Sequence, residues 1–236
     1  MPSAATDVSG TGSEPRAVVL DVDGTLLDSV YQHTFAWSRA FRRAGHPVEA
    51  WKIHRHIGMG GDRLVAAVAD ESVEESSGDR IRDLWEQEYD GIIDETGLLE
   101  GARELLMALK DRGLRVALAS SSIPKHAEHA FELLDADRYA DLTTTSEDAD
   151  ESKPDQELVE IAMDHLGTRD ACMVGDAVWD VVAASRAGIS TIGVCSGGFG
   201  RGELVDAGAV EVYLGPADLL AHLDMGLSIA FGGSSG

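Results

Sequence analysis

The chain has two cysteines, Cys172 and Cys195, and no metal-type spacing links them. That argues against a disulfide framework and fits a reducing cytoplasm. Both stand in short apolar runs and are expected as small buried residues of strands. Neither has a base beside it that would make a catalytic thiol. Long apolar stretches are also missing, so no segment is expected to cross a bilayer. Met1 to Arg16 is polar and acidic, without a basic start or an apolar stretch, and does not read as a secretory signal. Positive charge is scarce. Four lysines (Lys52, Lys110, Lys125, Lys153) and fifteen arginines stand against 42 acidic residues, a formal charge of −23. Such a field repels nucleic acid and anionic membranes, which disfavours both as partners. It repels phosphorylated metabolites too, so a phosphate site here must concentrate its own positive charge. Acid excess with so little lysine fits adaptation to high salt or a GC-biased genome, and both readings stay open.

What is present is ample apolar material, 44% of 236 residues, enough for one full domain and a small second one. Ala17-Val18-Val19-Leu20 is a continuous apolar run, the pattern of a strand buried on both faces, and it ends at Asp21. Leu114 to Ala119 repeats the pattern before Ser120, and Ala171 to Val174 repeats it before Gly175-Asp176. Ile189 to Cys195 and Val210 to Leu214 read as further strands, and Leu142 to Thr145 as a short β-like run. Helical patterns fall between them: Ala102 to Arg112, a segment opening at Pro124, Asp155 to Leu166, and Val178 to Ala187. This alternation predicts an α/β fold, a doubly wound parallel sheet. Between the first strand and the one at Leu114 no further strand is evident, and a helical insert is entered near Asp28 and left near Leu98. Ser29 to Ala44, Val48 to His56, Asp62 to Ala69 and Arg80 to Ile93 read as helices, and Glu71 to Asp79 as a polar loop. The expected organisation is a leader at 1–15, a core at 16–28 and 99–225, a helical cap at 29–98 and a loose tail at 226–236.

In open α/β sheets the chemistry gathers beyond the carboxyl ends of strands. Here those ends carry Asp21-Val22-Asp23-Gly24-Thr25, Ser120, Lys153-Pro154 and Gly175-Asp176. Two aspartates two residues apart crowd negative charge that a cation must hold, and oxygen donors favour Mg²⁺. A carboxylate can attack phosphorus once Mg²⁺ and an ammonium have neutralised the phosphate. On this reading Asp21 is the nucleophile and Asp23 moves protons to the leaving oxygen and from water. Asp176 completes the metal site. Lys153 and the Ser120 hydroxyl hold phosphate oxygens, with Gly24 and Thr25 turning the backbone against the ligand, while Ser121 or Ser122 is expected to cap the helix that opens at Pro124.

These four stretches, in this order and at these strand ends, resemble the motifs of the haloacid dehalogenase-like hydrolases from about Val18 to Leu214. The helical insert is similar to the cap of the phosphoglycolate phosphatase and β-phosphoglucomutase branch. The resemblance implies Mg²⁺ bound by the Asp21 and Asp176 carboxylates and the backbone carbonyl of Asp23. It also implies that Asp180 supports that site, directly or through water. Glu100 and Gln156 stand where relatives often have proline, and both positions only shape loops.

The cap is expected to choose the substrate. His33, with Trp37 one turn on, matches a hinge-helix histidine of β-phosphoglucomutases, or else packs at the hinge. Gly58-Met59-Gly60-Gly61 resembles the cap loop of phosphoglycolate phosphatases, so Gly60 and Gly61 are candidates to approach a ligand. His54, His56 and Arg63 flank it, either as binders of a polar tail or as an exposed basic patch. An ungapped match puts Gly61 where mutases carry the arginine that grips a distal phosphate. The expectation is therefore a phosphatase acting on a small phosphorylated metabolite, as monomer or homodimer. A phosphomutase is the alternative; a 2-haloacid dehalogenase, which needs no Asp23, and a non-catalytic binding protein stand further off.

Overall fold

The computed structural model describes residues 15–232. The expected leader, apart from Pro15, and residues 233–236 lie outside the described residues. The strands are β1 (Ala17–Leu20), β2 (Leu27–Asp28), β3 (Gly97–Leu98), β4 (Arg115–Ala119), β5 (Leu142–Thr144), β6 (Ala171–Gly175), β7 (Ser190–Val194) and β8 (Glu211–Tyr213). Six of them form a parallel sheet in the order β5-β4-β1-β6-β7-β8. Side chains of β1 alternate between its two faces. Val18 and Leu20 join one apolar cluster, while Ala17 and Val19 join another on the opposite face. Burial on both faces is why these strands read as unbroken apolar runs.

The helices are α1 (Val30–Ala44), α2 (Ala50–His54), α3 (Gly61–Val68), α4 (Glu71–Asp90), α5 (Ala102–Asp111), α6 (Pro124–Leu134), α7 (Ala136–Tyr139), α8 (Glu157–Leu166), α9 (Val178–Arg186), α10 (Arg201–Ala207), α11 (Pro216–Ala221) and α12 (Leu223–Gly232). Leu105, Leu106 and Leu109 of α5 cover one face of the sheet with Leu227 and Ala230 of α12. Val159 and Met163 of α8 cover the other with Ala183 and Ala184 of α9. Helices α1 to α4 close around their own core, which includes Trp37, Phe41, Ile53, Leu64, Ile81 and Trp85. No helix among the described residues is long and apolar enough to cross a membrane.

The structure corrects four expectations. Glu71 to Asp79 is helical, the first half of α4, because Asp70 caps it by accepting from the Val73 amide and Arg82 holds Glu74. The cap junctions carry strands after all: β2 and β3 pair antiparallel, Leu27 beside Leu98 and Asp28 beside Gly97. Residues 226–232 are no loose tail, since Leu227 and Ala230 anchor α12 to the main core. Cys172 is buried, whereas Cys195 is only half-buried and follows the end of β7.

Candidate active site

Pairing of Leu20 with both Leu118 and Val174 aligns the ends of β1, β4 and β6 at one edge of the sheet. Asp21, Ser120 and Asp176 emerge there together. Ligand atoms of Asp21, Asp176 and Asp180 all lie within 4.8 Å of one another, and all three residues are buried. Lys153, 0% exposed, reaches into this cluster. Its Nζ donates to Asp21 Oδ1 and lies 2.8 Å from Asp180 Oδ1, an ion pair without hydrogen-bond geometry. The other Asp180 oxygen accepts from the Ala177 amide at 3.0 Å, fixing the side chain to the first turn of α9.

Burial raises the Asp21 pKa to about 7 against the pull of Lys153, with Asp180 and Asp23 pushing the same way as burial. Burial, Asp21 and Asp180 hold Asp176 well above the carboxylate range. Burial alone would lower the pKa of Lys153, but Asp180 and Asp21 outweigh it and the ammonium is held more tightly than usual. With all three carboxyls ionised, one ammonium would leave two negative charges; a divalent cation would balance them, and the raised pKa values of Asp21 and Asp176 mark the cost of ionising without one. The donors are hard oxygens, so the residues present fit Mg²⁺.

Asp23 sits differently. Burial would raise its pKa, yet His33 and the hydroxyls of Ser29 and Ser122 outweigh it, and the group is held well below the carboxylate range. Ser29 and Ser122 donate to its two oxygens at 2.6 and 2.9 Å, and His33 Nε2 lies 3.3 Å away. His33 stacks on Tyr89 with ring centroids 3.9 Å apart. A cavity of about 40 Å³ is walled by Asp21, Asp23, His33, Trp37, Met59 and Trp85, among others.

Several expected phosphate contacts are occupied. The Thr25 hydroxyl lies 3.2 Å from Asp21 and 3.0 Å from Asp176, donating to one carboxylate at a time. The Gly24 amide donates to the Leu27 carbonyl. Ser120 Oγ accepts from the Ser122 amide at 3.1 Å and stands 3.5 Å from Asp23. Neither Ser121 nor Ser122 caps α6, which has no side-chain cap. Ser122 holds Asp23 instead, and Ser121 Oγ is buried without a partner.

Of the cap candidates, His33 and Gly61 line the inner cavity. Gly60, His54 and Arg63 make contacts that join cap and core. The Gly60 amide donates to Ser152 Oγ, which donates to Asp62 at 2.5 Å, and Arg63 pairs with Glu151. His54 Nε2 lies 3.1 Å from the Gly197 carbonyl, and its ring stacks on Tyr31. His56 is held by the Lys52 carbonyl and stacks on Trp179.

Sequence reasoning passed over Ser29, Ser152, Ser196 and Gly197, and read Ser122 only as a candidate helix cap. Ser196 donates to the Gly24 carbonyl at 2.6 Å, tying the loop after β7 to the first aspartate loop. A methyl on Gly197 would fall 1.6 Å from Asp176 Oδ2, and one on Gly24, whose φ is +89°, would fall 2.6 Å from the same atom. Both glycines thus make room for the Asp176 carboxylate. A strand end followed by Cys195-Ser196-Gly197-Gly198 was a legible signal for such a loop.

The family model described as haloacid dehalogenase-like hydrolase matches residues 15–188. A phosphoglycolate phosphatase of Vibrio vulnificus (strain YJ016) is 28% identical over 224 residues, 90% of this chain and 96% of that one. A validoxylamine A 7'-phosphate phosphatase of Streptomyces hygroscopicus subsp. limoneus is 28% identical over 185 residues, 76% of this chain and 85% of that one. The crystal structure of a hydrolase from Pseudomonas syringae superposes with a TM-score of 0.84 at 35% identity, covering 89% of this chain and 98% of that one. With a cap inserted after β1, a carboxylate cluster at the strand ends and a buried lysine among them, the chain belongs to the haloacid dehalogenase-like hydrolases.

Proposed function

We propose that this hydrolase is a Mg²⁺-dependent phosphatase that releases phosphate from a small phosphorylated metabolite through an aspartyl-phosphate on Asp21. The observation that carries the reading is the contact of Asp21 with Lys153 inside a cluster of buried carboxylates that borders the cavity shared with Asp23. Asp21 and Asp176 would hold the metal with the Asp23 carbonyl, and Asp180 would support it. Bound Mg²⁺ supplies the positive charge that lets an anionic carboxylate approach a phosphate dianion.

The residues then divide the work. An Asp21 oxygen forms a bond to phosphorus as the bond to the leaving oxygen breaks, and Asp23 delivers a proton to that oxygen. The hydrogen bonds to Asp23 favour its charged form, so it needs the nearby phosphate dianion to take up that proton. In the second half Asp23 removes a proton from water, whose oxygen attacks phosphorus and frees the Asp21 carboxylate. Lys153 offsets the charge of Asp21 and of the phosphoryl oxygens. Ser120 and Ser121 are the nearest hydroxyls at the end of β4 to receive those oxygens.

Phosphatase is preferred to mutase because Gly61 stands at the clamp position and Arg63 is committed to Glu151. The named activities of the relatives, on phosphoglycolate and on validoxylamine 7'-phosphate, support a small phosphorylated substrate. The test is phosphate release from para-nitrophenyl phosphate with Mg²⁺ and after chelation by EDTA. Release that stops with EDTA is expected. Halide release from 2-chloropropionate without metal would overturn the proposal in favour of a dehalogenase, and silence in both assays would favour a binding role.

Gly197→Ala is expected to keep the fold while pushing Asp176 aside. Displacing a reacting group by about 1 Å costs roughly 10²-fold, so phosphate release should fall by about that factor. A Mg²⁺ titration of activity should show a higher half-saturating concentration. Unchanged metal affinity would disprove the crowding argument.

A further inference from the structure

Beyond the inner cavity lies a second one of about 270 Å³, between α4 and the loop that leads to Lys153. The two share Gly61, Trp85 and Ser121, and Asp21 and Asp23 line only the inner one, so the outer cavity adjoins the reacting carboxylates and offers room for a leaving group. Two observations describe what it would accept.

The first is charge. Asp62, Asp83, Glu86 and Asp150 line the outer cavity, against one cation, Arg82. That cation is spent: Glu74 takes it through both oxygens at 2.8 and 3.0 Å, and Asp79 takes it at 2.8 Å. Glu86 shares Lys125 with Asp90, and Asp62 is bound to Ser152. Asp83 and Asp150 enter no ion pair among the described residues. A carboxylate or second phosphate arriving here meets surplus negative charge and no free guanidinium or ammonium.

The second observation is an unmet donor. Trp85 is 7% exposed, and its indole Nε1–H has no hydrogen-bond partner among the described residues. The ring cannot turn to find one, since it stacks on Trp37 at 4.8 Å and meets His126 edge-on at 5.3 Å. Ser121, which lines both cavities, likewise has a buried Oγ without a partner among the described residues. A buried N–H left unpaired is costly, and a ligand oxygen would satisfy it.

We infer that the leaving group is hydroxyl-bearing and carries no negative charge, that a protonated amine is welcome on it, and that carboxylate-bearing phosphate esters are rejected. This rests on the phosphatase reading above and narrows its substrate class. Trp85 donates to a leaving-group oxygen, and the outer carboxylates set the charge preference.

The test is a charge series on one two-carbon frame: phosphoethanolamine, 2-hydroxyethyl phosphate and phosphoglycolate, with ethyl phosphate and para-nitrophenyl phosphate beside them. At low ionic strength kcat/KM for the amine and the alcohol should exceed that for the acid by about tenfold, and salt should narrow the gap. Asp83→Asn combined with Asp150→Asn should narrow it as well. Trp85→Phe should reduce the preference for hydroxyethyl over ethyl phosphate by roughly threefold to tenfold, the worth of one neutral hydrogen bond. Phosphoglycolate cleaved as fast as the alcohol, with para-nitrophenyl phosphate also cleaved, overturns this inference and leaves the phosphatase standing. A gap that ignores both salt and the asparagine pair overturns the assignment to the outer cavity. Release from none of the five esters in Mg²⁺ overturns the phosphatase reading, and this inference with it.

Discussion

Asp21→Asn should abolish phosphate release while leaving the protein folded. Among the described residues, the carboxylate at the end of β1 is the one group that borders the inner cavity, touches Lys153 and belongs to the acidic triad. An amide is a very poor nucleophile toward phosphorus, and the substitution would also weaken the proposed metal site. A loss of about 10³-fold or more is expected, roughly 4 kcal/mol of barrier. The side chain is near in size, and the Lys153 contact can pass to the amide oxygen, so thermal unfolding should stay cooperative. A second readout separates chemistry from binding. Rapid acid quench of the wild type with labelled substrate should trap a phosphoryl group sensitive to hydroxylamine, and Asp21→Asn should trap none. Retention of a tenth of the wild-type rate, or equal labelling of both proteins, would remove Asp21 from the nucleophile's place.

How far this could be read from the residues depended on how local each signal was. The strands of the sheet were legible because burial on both faces writes a continuous apolar run, as in Ala17 to Leu20. Each run ended at a residue that cannot be buried cheaply, which is why Asp21, Ser120 and Asp176 stood out. Lys153 was legible through scarcity. The helical start of α4 was not, because Glu71 to Asp79 meets solvent along most of its length and the apolar anchors Ile81, Leu84, Trp85 and Tyr89 come later. Nor was α12, whose glycines argue against a helix until Leu227 and Ala230 find the core.

Contacts across the cap boundary were the least legible. Asp62 with Ser152, Arg63 with Glu151 and His54 with Gly197 each join residues far apart in sequence, and nothing near any of them announces the partner. Residues singled out as candidates for substrate binding thus also make contacts that hold the cap to the core. Ser152 is next to Lys153, so the same hydrogen bonds that seat the cap also steady the chain carrying the site's ammonium. The neighbouring hydroxyls show a similar limit. Three consecutive serines follow β4, and only geometry assigns Ser122 to Asp23 and leaves Ser121 free.

Asp176→Asn should make the metal-free protein more stable while destroying its response to Mg²⁺. Asp21, Asp176 and Asp180 are buried within reach of one another, and burial with the charges of Asp21 and Asp180 holds Asp176 well above the carboxylate range, so without a cation folding forces a proton onto it. Asparagine needs no such proton, and relieving part of that cost, about 2 kcal/mol, corresponds to roughly 4–8 °C in a chain of this size. The asparagine oxygen can still accept from Thr25, so the gain is not offset by a lost hydrogen bond. In the wild type, Mg²⁺ at about 100 times its dissociation constant should add roughly 2.7 kcal/mol by binding the folded state alone. The variant lacks one of the carboxylates that would hold the ion, so its melting temperature should barely move with Mg²⁺ and its phosphate release should be lost. Thermal melts of both proteins, in EDTA and in Mg²⁺, read all of this in one experiment. If the variant melts below the wild type in EDTA, the crowded carboxylates are not a strain that the cation relieves, and the argument for a divalent ion among them loses its physical basis.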